Sequence, residues 1–144
     1  MPDNTMKKLE FLIGSWRTTG TILSAGQDED ATLVASDIYE WFPGDAFILH
    51  HVDGKMGEAP VKALEIFRYD GDKGFVSVSI DNAGQYSEYQ LELEDHRWTI
   101  SGASERFEGD FNADFTVLEG NWFAIKHGEP DKPWMNIRLQ KQSS

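Results

Sequence analysis

Lys8-Leu9-Glu10-Phe11-Leu12-Ile13-Gly14-Ser15-Trp16-Arg17-Thr18-Thr19-Gly20 is the stretch whose reading decides the fold. Thr5 caps a short predicted helix over 5–13, in which Leu9, Leu12 and Ile13 share one face by i, i+3, i+4 spacing. Gly14 ends that helix, as glycine commonly does. A Thr-rich strand then starts at Trp16. A cation arriving from the other end of the chain would cover the indole. Arg138, in the last predicted strand, is the expected partner, so that both chain ends meet at the floor of a closed barrel.

Everything after Gly14 reads as strands separated by turn chemistry. The expected strands are 16–23, 32–42, 47–52, 61–69, 75–80, 85–93, 97–101, 104–111, 115–126 and 134–141. Between them lie an acidic loop at 25–30, Pro43-Gly44-Asp45, Asp53-Gly54, Asp70-Gly71-Asp72 and Glu94-Asp95-His96. About ten short strands at this spacing signal an all-β sandwich or barrel. No helical segment separates consecutive strands, which excludes a parallel βαβ sheet. Closure removes exposed edges, so the expected fold is a single antiparallel up-and-down β-barrel, with the helix at 5–13 capping a barrel over 15–141 of one 144-residue domain.

Composition supports this and excludes several functions. Nine Phe, five Trp and four Tyr stand beside a mean hydropathy of −0.49, a pairing that suits half-buried strands. The net charge of −12 repels phosphate backbones and anionic membrane surfaces, so neither nucleic acid nor membrane is an expected partner. The absence of cysteine removes disulfides, thiol chemistry and thiolate metal sites. The apolar run Phe11-Leu12-Ile13 is too short for a signal-peptide core or a membrane span, and a soluble cytoplasmic protein is the expectation.

The opening 8–20, together with Glu65-Ile66-Phe67-Arg68-Tyr69-Asp70, Ile80-Asp81-Asn82-Ala83-Gly84 and Arg106-Phe107-Glu108-Gly109-Asp110-Phe111, resembles the lipocalin-like DUF1579 proteins. These belong with the wider calycin barrels, the lipocalins, fatty-acid-binding proteins and nitrobindins. The resemblance implies a barrel around a small-molecule site and assigns no chemistry. Nitrobindin-like proteins share the helix and the Gly-x-Trp start and bind haem through a histidine near the chain end. His127 is the one histidine in that neighbourhood, beside the turn Gly128-Glu129-Pro130. No cofactor is otherwise expected, and no metal: neither Asp28-Glu29-Asp30 nor Asp70-Gly71-Asp72 has the ligand count of a calcium loop.

The candidate ligand-binding residues are Tyr39, His50, Glu65, Tyr89, Arg106 and Trp122. His50 and His51 are adjacent in a strand and so point to opposite faces, and cannot chelate one metal from one side. Both faces of that strand are apolar, so periodicity leaves open which histidine is inside. Glu65 shares a face with Val61, Ala63, Phe67 and Tyr69, where burial demands a partner, and Arg106 is a candidate for it; a charge pair on the barrel surface is the alternative. Tyr86 and Tyr89 face opposite sides. Trp98 and Trp122 either line a pocket or fill it. Ser77 and Ser79 form a polar stripe facing water or bound solvent.

No nucleophile elbow, phosphate loop or zinc pair is present. Binding of a small, mostly apolar or amphipathic molecule in the cavity, as a carrier or sensor, is the leading expectation. An enzyme using the same cavity for acid–base isomerisation or cyclisation is the alternative, because catalysis by positioning needs no diagnostic motif. A third reading is an interaction module, a homodimer with an exposed aromatic face.

Overall fold

The computed structural model describes residues 5–23 and 32–143, and the acidic loop expected at 25–30 lies outside them. Burial follows the period-two alternation of the sequence. In β2 (Thr32–Trp41), Leu33, Ala35, Asp37 and Tyr39 are buried and the residues between them are exposed. The other strands are β1 (Gly14–Ile22), β3 (Ile48–Met56), β4 (Ala59–Asp70), β5 (Gly74–Asp81) and β6 (Tyr86–Glu94). They are followed by β7 (Arg97–Ser101), β8 (Glu105–Phe111), β9 (Val117–Ala124) and β10 (Lys132–Lys141). Each pairs antiparallel with the next. β1 pairs with β10, from Trp16 opposite Lys141 to Ile22 opposite Met135, and the expected ten-stranded up-and-down barrel is thereby closed.

Three local departures have physical causes. Asp53-Gly54 is not a turn: β3 continues to Met56, with Gly54 opposite Ala35 on one side and Val61 on the other. A Cβ on Gly54 would lie 2.2 Å from the Val34 carbonyl oxygen and 2.5 Å from the Ala35 Cα, so this glycine serves a close backbone approach. β9 begins at Val117 rather than 115, because the Asn112 Oδ1 accepts the amides of Thr116 and Val117 and holds the chain in a wider turn. In β10 the register shifts between Pro133 and Met135, a bulge that brings both Trp134 and Met135 to the cavity wall.

The N-terminal helix is a 3-10 helix, Thr5–Leu12, and its buried residues are Met6, Leu9 and Leu12. Their i, i+3, i+6 spacing is that of three residues per turn, so the inward face differs from the Leu9, Leu12 and Ile13 face of an α-helix. That face packs into the same core as Trp16, Tyr39, Phe67, Trp98, Phe107 and Phe111 and shuts one end of the barrel.

Trp16 is at that floor, 1% exposed, with its indole N–H donating to the Leu12 carbonyl at 2.8 Å. Its cation is not Arg138. Lys141 places Nζ 5.6 Å from the ring centroid and donates to the Phe11 carbonyl at 2.8 Å. The pleat explains the correction. Lys141 stands directly opposite Trp16, whereas Arg138, three residues earlier, projects from the other face and pairs with Glu119 at 2.9 Å outside the barrel. Among the described residues, no helix is long and apolar enough to cross a membrane.

Candidate functional site

Above the floor the barrel encloses a cavity of about 520 Å³. Its wall is largely apolar, including Val52, Phe67, Ile100, Phe107, Trp122 and Leu139, with polar groups clustered on consecutive strands. A second depression, of about 700 Å³, is lined by Thr19, Thr21, Val34, Asn121, Asn136 and Arg138. It is open ground on the outer wall.

One chain of hydrogen bonds crosses five strands, β1 to β5, on the inner face. Thr18 donates its hydroxyl to Asp37 Oδ1 at 2.6 Å, and Asp37 Oδ2 lies 2.6 Å from His50 Nε2. His50 Nδ1 lies 2.8 Å from Glu65 Oε1, and the Ser77 hydroxyl donates to Glu65 Oε2 at 2.6 Å. His50 and Glu65 are opposite each other in the β3–β4 register; the other links run diagonally. Ionised carboxylates only accept, so an imidazole between two of them must donate from both nitrogens. His50 is therefore an imidazolium.

Burial by itself lowers the His50 pKa, and the hydrogen bonds and charges of Asp37 and Glu65 outweigh it, raising the value from 6.5 to about 9. The Tyr39 ring stacks on the imidazolium at 4.0 Å and 8°. Burial, reinforced by Asp37 and Glu65, pushes the Tyr39 phenol well above its ordinary pKa, so it remains a neutral hydroxyl.

These pKa values set a pH dependence. A histidine whose folded pKa exceeds its unfolded value stabilises the fold fully below pH 6.5, and that contribution is lost as pH rises through about 9. The loss is on the order of 3 kcal/mol. Urea midpoints measured from pH 6.5 to 9.5 are expected to fall steadily; a flat profile would contradict the imidazolium assignment.

On the opposite wall, Tyr89 donates its hydroxyl to Glu105 Oε1 at 2.7 Å, and Trp122 lies 6.2 Å from the Tyr89 ring and 5.5 Å from Phe107. Burial, then the bond to Glu105, raises the Tyr89 pKa. Tyr39, His50, Glu65, Tyr89 and Trp122 thus all line the cavity.

Arg106 does not line it. It pairs with Glu108 and Asp131 outside the barrel and lies over Phe123. In β8 the inward residue is its neighbour Glu105, and the cation beside Glu65 is His50. Sequence reasoning missed Asp37, Thr18, Ser77's role and Glu105. A signal for Asp37 was present, a lone carboxylate on the Leu33, Ala35, Tyr39 face of β2. His51, on the other face of β3, pairs with Glu40 at 2.9 Å in solvent. Asp70 turns its Oδ1 to the amides of Asp72 and Lys73, which lowers its pKa and marks the segment as a hydrogen-bonded turn.

Neither His127 nor His50 fits an axial haem ligand. His127 is exposed in the turn after β9, and both ring nitrogens of His50 are held by carboxylates.

Solved structures share this architecture. The crystal structure of Rv2717c from M. tuberculosis matches with a TM-score of 0.69 at 12% identity, over 99% of this chain and 100% of that one. The S-type phycobiliprotein lyase CPES from Guillardia theta matches at 0.56 and 10%, over 96% and 92%. A de novo designed fluorescence-activating β-barrel matches at 0.50 and 9%, over 99% and 100%. At these identities the likeness is one of fold, an antiparallel β-barrel. No family model and no curated protein matches the chain.

Proposed function

We propose that this protein binds a small, mostly apolar molecule inside its barrel, as a non-catalytic carrier or sensor, and that its kin are the lipocalin-like DUF1579 barrels. The observation that carries the reading is the cavity of about 520 Å³ inside the barrel, apolar over most of its wall, with polar groups held in fixed positions. Each carboxylate oxygen of Asp37 and Glu65 has a donor, and both nitrogens of His50 have an acceptor. Such a network is a rigid wall. His50 has no lone pair for a general base, and as a general acid it must break a charge-assisted bond to reach a substrate. That favours binding over acid–base isomerisation. Barrels of this architecture include a fluorescence-activating design and a phycobiliprotein lyase, which supports use of the interior. Apolar burial, at about 25 cal/mol per Å², supplies the affinity.

Native mass spectrometry of the protein purified from its own host, followed by denaturation, is expected to release a small molecule. A clean apo mass, with no thermal shift from fatty acids, amines or aromatic compounds, would sink the proposal.

A further inference from the structure

The carboxylates of the cavity differ in how completely they are satisfied. Asp37 and Glu65 share the His50 imidazolium and have hydroxyl donors on their remaining oxygens. Asp81 turns Oδ1 to the amides of Ala83 and Gln85 within its own turn. Glu105 accepts only the Tyr89 hydroxyl, on Oε1. Its Oε2 has no donor among the described residues, and no lysine or arginine among them lines the cavity.

Glu105 also occupies a gap in the wall. β7 is only five residues long and pairs with β6 from Gln90 to Glu94, which leaves residues 86–89 of β6 without a paired strand on that side. A pocket of about 490 Å³ fills this space between the start of β6 and the start of β8. Gln85, Tyr89 and Glu105 line both it and the interior cavity, so the Tyr89–Glu105 pair stands at the junction of the two. A ligand group there reaches a carboxylate next to solvent, while an attached apolar body extends inward against Trp122, Phe107 and Ile100.

We infer that the ligand is an organic cation, an amine carrying an apolar, preferably aromatic body, with its charged nitrogen on Glu105 at the junction and its body in the barrel. The inference rests on the cavity-binding reading and names the ligand class. An ammonium donates to the open oxygen of Glu105 beside Tyr89, and an aromatic body extends inward among Trp122 and Phe107. A carboxylate ligand meets Glu105 and a cavity whose one cation is already shared by two carboxylates. The overall charge of −12 favours encounter with cations.

The test holds the body constant and changes the head. 2-(1-Naphthyl)ethylamine, 2-(1-naphthyl)ethanol and 1-naphthylacetate are titrated by calorimetry into the full-length protein. The amine is expected to bind at least tenfold more tightly than the alcohol, and the acid most weakly (roughly 1.4 kcal/mol per tenfold). Glu105→Gln is expected to abolish the amine's advantage over the alcohol, with the fold checked by circular dichroism, and an advantage that survives the substitution would overturn the assignment to Glu105. If the alcohol or the acid binds as tightly as the amine to the wild-type protein, the ligand class is wrong and cavity binding stands. If none of the three binds, and the protein also releases nothing on denaturation, both fail.

Discussion

Replacing His50 by leucine is expected to destabilise the barrel by about 3–5 kcal/mol, because it leaves the carboxylates of Asp37 and Glu65 buried without their shared cation. For a domain of this size that corresponds to a fall in Tm on the order of 10 °C. Each carboxylate keeps one hydroxyl donor, from Thr18 or Ser77, but neither hydroxyl carries charge. Their mutual repulsion then acts across a largely apolar interior. The magnitude reflects broken pairing and does not measure what the intact network contributes. Replacing Asp37, His50 and Glu65 together with apolar residues of similar volume is therefore expected to recover most of the loss. Thermal and urea denaturation of the single and triple variants decide the matter. A His50→Leu protein melting within about 2 °C of the wild type would mean that the three groups are not coupled as described.

The second large effect is at the floor. Trp16→Ala removes a side chain that is 1% exposed, deletes the hydrogen bond to Leu12, and strips Lys141 of the ring beneath its ammonium. A loss of about 3–5 kcal/mol is expected. The indole joins the 3-10 helix to both the first and last strands, so the variant loosens barrel closure as well as packing. Trp16 is not part of the cavity wall, so the folded fraction should retain its ligand affinity. Denaturation curves paired with a binding titration test both halves. A cost below about 1 kcal/mol would show that closure does not depend on the indole, and an affinity loss with little unfolding would place Trp16 in the ligand site.

The outside of the barrel is not uniformly polar. Ile80 and Tyr86, opposite each other on β5 and β6, are 50% and 63% exposed, and Ile38 on β2 is 44% exposed. Their outward direction follows from the same alternation that sends Ser79 and Tyr89 inward.

Fold class was legible because the barrel repeats one local rule. Alternating side chains, short turns and the absence of intervening helices leave few ways to satisfy backbone hydrogen bonds, and closure removes the two edges an open sheet would expose. Strand order needs no long-range information when each strand pairs with the next. The apolar neighbours of Glu65 on one face of β4 left both an interior position and a surface charge pair open. Partner choice was another matter. Whether Trp16 meets Arg138 or Lys141, and whether Glu65 meets Arg106 or His50, depends on the register between strands far apart in sequence. A one-residue change reverses the face of every side chain in a strand. Periodicity likewise left His50 and His51 equivalent, since β3 carries apolar residues on both faces. Only the assembled barrel, by setting β2, β3 and β4 side by side, selected His50 and placed it between two carboxylates. The chain alone thus determines that a barrel forms; the closed ring determines which charges share its interior, because that is decided by the offset of each strand against its neighbours.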